Sequence, residues 1–176
     1  MNYFVTGATG FIGRHLLAEL LKRDGTIYVL VREGSQERLA ELAEGWAGGV
    51  RVTPGAAEGR IVAVPGDLSK PGLGVEGFDE RIDHLFHLAA VYDVEADEEA
   101  AERANIDGTR HVVEFANAHD LGRFHHVSSI AVAGDYRGVF QEDMFDGGQV
   151  LPHHYHRTKY ESERLVRDGA LALVTG

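Results

Sequence analysis

The sequence predicts a doubly wound α/β fold, a parallel sheet of six or so strands flanked by helices. Three observations predict it. Short β-rich runs alternate along the chain with patterns of helical period, the signature of successive strand–helix–strand units. The first run leads through a glycine-rich turn into an amphipathic helix. Ile27–Val31 is apolar without interruption, as a strand buried on both faces is. At 176 residues with 44% apolar content, the chain is read as one globular domain, 1–176, long enough to bury a core.

The elements follow in order. Tyr3–Thr6 is the first strand. Phe11–Arg23 is a helix whose Phe11, Ile12, Leu16, Leu17, Leu20 and Leu21 form one apolar stripe, and Asp24-Gly25 stops it. Ile27–Val31 is the second strand, and Ser35 caps a helix running to Trp46. The glycine-rich stretch that follows, "GWAGGVRVTPGAAEG", reads as loop. Ile61–Val64 and His84–Leu88 are the third and fourth strands. Glu98–His119 reads as one long helix interrupted at Asn105 and Gly108, and Phe124–Val127 as the fifth strand. A polar loop over 135–152, a helix over Tyr155–Arg167 and a sixth strand over Leu171–Val174 complete the chain.

Composition excludes several function classes. A formal net charge of −11 opposes nucleic acid and anionic membrane surfaces, both of which require a positive face. The absence of cysteine removes disulfides, thiolate metal sites and a cysteine nucleophile. The start, "MNYFVTG", lacks the basic and apolar regions of a signal peptide, and no apolar run approaches a membrane span. These features predict a cytoplasmic chain.

"FVTGATGFIG" joins the first strand to the first helix and spaces Gly7, Gly10 and Gly13 as GxxGxxG. Glycine there permits a tight turn whose backbone N–H groups, at a helix N-terminus, can approach a pyrophosphate. Thr9, Phe11, Ile12 and Arg14 fall in the same turn and are counted with the cofactor-binding residues. The bland alternative is a glycine-rich turn without a ligand; the strand-before, helix-after context weighs against it. The residue closing the second strand reports on the cofactor, because Asp or Glu accepts from a ribose 2′-hydroxyl whereas Arg suits a 2′-phosphate. "YVLVREGS" closes on Arg32, which favours NADP(H) over NAD(H). Glu33 dissents, since a carboxylate turned inward would repel that phosphate, and Arg32 also reads as a solvated charge at a strand end.

Tyr155 and Lys159, at i and i+4, share one helix face. An ammonium so placed lowers the pKa of a phenol, normally about 10, and a tuned phenol protonates a carbonyl oxygen as hydride arrives from a nicotinamide. A hydroxyl at a strand end would complete the site, and Ser128 and Ser129 lie where the fifth strand reaches the ligand-binding edge of such sheets.

With these motifs in place, the chain resembles an extended short-chain dehydrogenase/reductase over nearly its whole length. "TGATGFIG", "GDL" at 66–68, "HLAA" at 87–90, "NIDGT" at 105–109, "HVSSIAVAG" at 126–134 and "YHRTK" at 155–159 fall in the family's order. The resemblance implies a Rossmann domain in which Gly7, Gly10 and Gly13 cradle the pyrophosphate. It implies that Asp67 and Leu68 flank the adenine, while Ala89 and Ala90 line the cofactor channel. It implies a catalytic set of Ser129, Tyr155 and Lys159, with Lys159 also holding the nicotinamide ribose and Asn105 in a helical kink supporting the site. Ser129 is preferred over Ser128 because it lies five residues before Gly134, as the family's hydroxyl does. "YVLVREGSQERL" and "VPGDLSKPGLG" are similar to a narrower branch, the fatty acyl-CoA reductases and thioester reductase domains, which reduce an acyl thioester to an aldehyde or alcohol with NADPH. That branch often has Thr at the Ser129 position.

Extended members continue beyond the Tyr-x-x-x-Lys helix into a small substrate domain. Here the chain stops at "GALALVTG", so the resemblance implies that this domain is absent. The closing "LVTG" echoes "FVTG" at 4–7, which fits an adjoining second module; uncovered apolar surface at the sheet edge fits a homo-oligomer. Two other readings compete. An NAD-dependent sugar-nucleotide epimerase or dehydratase is opposed by Arg32, and a non-catalytic dinucleotide-binding module by the presence of Ser129, Tyr155 and Lys159 together. The three histidines of "LPHHYHRTK", His153, His154 and His156, lie just before and around Tyr155, where neighbours on a helix point in different directions, unlike an i, i+4 zinc pair, so no metal site is expected.

Overall fold

A computed structural model describes residues 1–44, 52–54, 60–90 and 103–169. Its strands are β1 (Asn2–Thr6), β2 (Thr26–Val31), β3 (Val52–Pro54), β4 (Ile61–Pro65), β5 (Ile82–His87) and β6 (Leu121–His126). Its α-helices are α1 (Phe11–Leu20), α2 (Gln36–Glu44), α3 (Gly108–Ala118) and α4 (His154–Gly169). The six strands form one parallel sheet in the order β3-β4-β2-β1-β5-β6. The chain leaves β1 toward β2 on one side and reaches β5 on the other. The order therefore reverses beside β1, where open α/β sheets bind ligands at the carboxyl ends of their strands.

Strand alternation divides the core in two. Phe4, Tyr28, Leu30, Val62, Leu85 and Phe124 face α3 and α4, packing on Val112, Phe115 and Val166. Tyr3, Val5, Ile27, Val29, Val31 and Ile61 face the other way, onto Leu17 and Leu20 of α1 and Leu39 of α2. Phe4 is fully buried, a contribution of about 1.5–3 kcal/mol for a side chain of its size. Because both faces are covered at the centre of the sheet, β2 and β4 need apolar residues at consecutive positions, which is why they read as unbroken runs.

Several boundaries differ from the sequence reading. α1 ends at Leu20 rather than Arg23, since the amides of Lys22 and Arg23 turn back to the carbonyls of Glu19 and Leu20. β5 and β6 begin earlier than expected because they pair with each other from Ile82 and Leu121 onward. The stretch read as loop after Trp46 contains β3, whose backbone pairs with β4 at the edge of the sheet. The expected strand at Leu171–Val174, and Trp46 itself, lie outside the described residues. The long helix read over Glu98–His119 is, where described, a π-helical turn at Arg103–Asp107 followed by α3. The break at Asn105 has a cause: its carbonyl accepts the Thr109 hydroxyl (2.6 Å) and shares the single Ser162 hydroxyl proton (2.8 Å) with the Thr158 carbonyl (2.7 Å), and side chains inserted into the ladder distort a helix.

Candidate functional site

A cleft of about 550 Å³ opens along the carboxyl ends of β1, β2, β4 and β5. Gly7, Thr9 and Gly10 line it from the first turn, Arg32 and Ser35 from the end of β2, Asp67 and Leu68 from the end of β4, and Ala89 and Ala90 from the end of β5. Gly10 is the N-cap of α1 and provides no side-chain cap, so the orphan N–H groups of the first turn are left for a ligand.

The three glycines, equivalent in sequence, do different things. Gly7 has a φ of +73°, and a Cβ there would lie 2.6 Å from the Ala89 amide nitrogen; it lets the turn cross the end of β5. Gly10 is exposed to the cleft, and its Cβ would meet only the Gly7 carbonyl, at 3.3 Å. Gly13 faces away, into the turn: its Cβ would fall 2.3 Å from the Gly7 oxygen and 2.6 Å from Ala8 Cα. Gly13 thus packs α1 on the turn and does not line the cleft. Neither do Phe11 and Ile12, both largely exposed on the helix, nor Arg14, whose guanidinium covers the Phe11 ring at 4.9 Å. Glu33 is exposed and outside the lining as well. Asp67 accepts the Ser69 amide at 2.8 Å. That bond chiefly holds its carboxyl below the usual carboxylate range, with the nearby Arg32 and Lys70 cations adding to it.

Beyond the cleft, α4 docks on the end of β6. Lys159 is 4% exposed, and its ammonium donates to the Val127 carbonyl at 3.1 Å. Burial lowers the Lys159 pKa, and the Glu163 carboxylate one turn along opposes that shift. Two residues beyond Val127, Ser129 caps a short 3-10 helix at Ile130–Ala133, accepting the Ala131 amide at 3.2 Å. The Ser128 hydroxyl donates instead to Glu163 at 2.5 Å. Ser128 therefore has its proton committed, whereas the bond made by Ser129 uses only its oxygen.

A buried chain of hydrogen bonds ties the glycine turn to α4. The Thr109 hydroxyl donates to Asn105, so His87 Nε2–H donates to Thr109 (3.0 Å), and His87 Nδ1 accepts from Thr6 (2.7 Å). Burial pushes the His87 pKa far down, consistent with this neutral tautomer. Asn105 Nδ2 in turn donates to Thr158 (3.3 Å), whose hydroxyl donates to the Tyr155 carbonyl (3.0 Å). This chain of bonds thus fastens the π turn at Asn105 to α4 at Thr158 and the Tyr155 carbonyl, on the helix whose Lys159 is bound to the Val127 carbonyl next to Ser128 and Ser129. His126, 5% exposed, has neither ring nitrogen hydrogen-bonded; burial, with the Lys159 charge, lowers its pKa to about 3. Sequence reading missed Ser35 as a cleft residue, and it missed His87 and Glu163. The first read only as a helix cap, and Glu163 carried a visible signal, four residues after Lys159. Among the described residues no cluster of three or more His, Asp or Glu is placed to hold a metal ion, and no helix is long and apolar enough to cross a membrane.

Residues 5–174 match the family model described as male sterility protein. The chain belongs to that family. Male sterility proteins are extended short-chain dehydrogenases/reductases, a group that includes fatty acyl-CoA reductases and thioester reductase domains, and they bind NAD(P). The chain is 33% identical to a linear gramicidin synthase of Brevibacillus parabrevis over 92% of its own length and 3% of that protein. It is similar to the thiolation-reductase di-domain of an archaeal non-ribosomal peptide synthetase (TM-score 0.83, 27% identity, 98% of this chain and 50% of that one). It is also similar to the terminal R domain of the myxalamid biosynthetic pathway (TM-score 0.80, 30% identity, 99% and 47%). The chain therefore spans about half the length of these two solved proteins.

Proposed function

We propose that this chain is the cofactor-binding and catalytic part of an NADPH-dependent reductase acting on a carbonyl or an acyl thioester. The observation that carries the reading is the docking of α4: the buried Lys159 ammonium, anchored on Val127, holds the Tyr155-x-x-x-Lys159 face against the strand end that presents Ser129. NADPH supplies hydride when bound. The chain's own residues supply the proton and the orientation: the Tyr155 hydroxyl donates to the substrate carbonyl oxygen, and the Ser129 hydroxyl hydrogen-bonds the same oxygen. Preference for the 2′-phosphate is supported by Arg32 and Ser35 at the cleft rim, a cation and a hydroxyl, with Glu33 outside it. The fit to a dinucleotide rests on the uncapped start of α1 and the open face of Gly10. The thioester substrate class is supported by the likeness to the reductase domains of peptide synthetases.

Fluorescence titration with NADPH and NADH, followed by an acyl-CoA and aldehyde reduction assay, tests the reading. Tyr155→Phe is expected to keep NADPH affinity within about threefold and to lower turnover by about 10²-fold or more. A wild-type chain that binds NADPH yet reduces no aldehyde or acyl-CoA would refute it.

A further inference from the structure

Helix α4 carries Tyr155, Lys159, Glu163 and Arg167 at successive i+4 positions, so one helix face presents a phenol, a cation, an anion and a cation. The site described above uses the first two. Glu163 is 7% exposed, and each of its carboxylate oxygens is engaged. One accepts the Ser128 hydroxyl at 2.5 Å, and the other accepts Arg167 Nε at 2.8 Å. Arg167 is itself seated on the Phe145 ring, 4.7 Å from its centroid. Burying a carboxylate is costly unless its charge is matched. The half-exposed Arg167 matches part of it, and Lys159, one turn earlier and bound to the Val127 carbonyl beside Ser128, is the more deeply buried cation whose charge Glu163 also feels.

From this geometry we infer, on the basis of the reductase reading, that Glu163 is a positioning residue for the reduction. It balances the buried Lys159 ammonium from the next turn of α4 and, through Ser128, pins that helix to the strand end that carries Ser129. Without the anion, the buried Lys159 would keep the neutral Val127 carbonyl as acceptor but lose the opposing charge on its own helix. His126 of β6 and His87 of β5 both sense its charge, and Arg167 lies beyond Glu163. Both histidines are held neutral by burial, so the Glu163 carboxylate is the charged group on α4 that opposes the effect of burial on the ammonium. The Ser128 bond adds a second effect: it commits the neighbouring hydroxyl and leaves Ser129 to face substrate.

The chain has three lysines, Lys22, Lys70 and Lys159, so NMR titration of ¹³C-labelled lysine side chains resolves Lys159 directly. In Glu163→Gln, which keeps an acceptor for Ser128 but loses the charge, the Lys159 midpoint is expected about one pH unit lower or more. The alkaline limb of turnover should move down with it. Glu163→Asp, which keeps the charge, should restore both toward wild type. Arg167→Gln alters a half-exposed partner that a folded helix tolerates; by freeing the carboxylate it should raise the Lys159 midpoint. A folded Glu163→Gln protein with an unmoved Lys159 midpoint overturns the inference, as does an unmoved or lowered midpoint in Arg167→Gln. A merely structural Glu163 would cost stability and leave both titrations in place. Absence of turnover in the wild-type chain would strike the reductase reading alone, because the lysine titration needs no substrate.

Discussion

Gly10 and Gly13 separate binding from packing, and alanine at each position tests the division. At Gly13 the added methyl would sit 2.3 Å from the Gly7 carbonyl oxygen and 2.6 Å from both Ala8 Cα and Ala8 O. All three are backbone atoms, so α1 or the turn must shift by close to an ångström. Overpacking of that kind costs about 1–3 kcal/mol, and the upper end applies where no flexible side chain can yield. Alanine's better helix propensity returns about 1 kcal/mol, which leaves a net loss of roughly 2 kcal/mol. For a domain of this size that is a fall in melting temperature of about 4–8 °C.

At Gly10 the methyl meets one atom, at 3.3 Å, on ordinary extended backbone. The stability cost is limited to the weaker N-cap, less than about 1 kcal/mol. The methyl would project into the cleft where a pyrophosphate must approach the helix N-terminus, so NADPH affinity should fall tenfold or more, about 1.4 kcal/mol. Thermal denaturation and NADPH fluorescence titration on the same two variants give the comparison. Gly13→Ala melting with wild type, or Gly10→Ala binding NADPH as tightly as wild type, would refute the partition.

Acid should destabilise the domain well before its carboxylates titrate. His84, His87, His125 and His126 all have lowered pKa values through burial, with His125 at about 4 and His126 at about 3. The unfolded chain therefore takes up protons that the folded one refuses. Stability is present above pH 6.5 and lost as pH falls from there toward about 4 and below. Counting only the deeply buried His87 and His126, urea denaturation should show a loss of roughly 3 kcal/mol per pH unit near pH 5, and His126→Leu should roughly halve that slope; a flat profile between pH 7 and 5 counts against the buried, neutral rings. Arg32→Ser should reduce NADPH affinity about tenfold while leaving NADH affinity within about twofold, read by parallel titration; an equal loss for both would remove Arg32 from 2′-phosphate recognition.

What was legible in the sequence is what depends on neighbours along the chain. The alternation of apolar runs, the glycine turn and the Tyr-x-x-x-Lys spacing are local patterns, and the sheet and the approach of α4 to β6 follow from them. Strand β3 was not legible, because three residues inside a glycine-rich stretch carry no pattern until β4 offers an edge to pair with. The π turn at Asn105 was visible as a break but not as a junction, since Ser162 and Thr158, whose hydroxyls reach its carbonyl and side-chain amide, lie 57 and 53 residues away.

The ladder of Tyr155, Lys159, Glu163 and Arg167 shows the limit most sharply. Alternating charges at i+4 usually describe a solvated helix face, worth a few tenths of a kcal/mol per pair. Nothing in "YHRTKYESERLVR" distinguishes that case from a buried one. The distinction arises from what the face meets: here the Val127 carbonyl takes the lysine and Ser128 takes the glutamate. The same contact separates two adjacent serines that sequence could rank only by their distance from a glycine. On the proposed reading, the choice between the two hydroxyls is made at the helix–strand interface, and a variant that frees Ser128 from Glu163 should blur it: in Glu163→Ala, Ser129→Ala is expected to cost less of the turnover than it does in the wild-type background, a double-mutant coupling that would be zero if the two serines acted independently of α4.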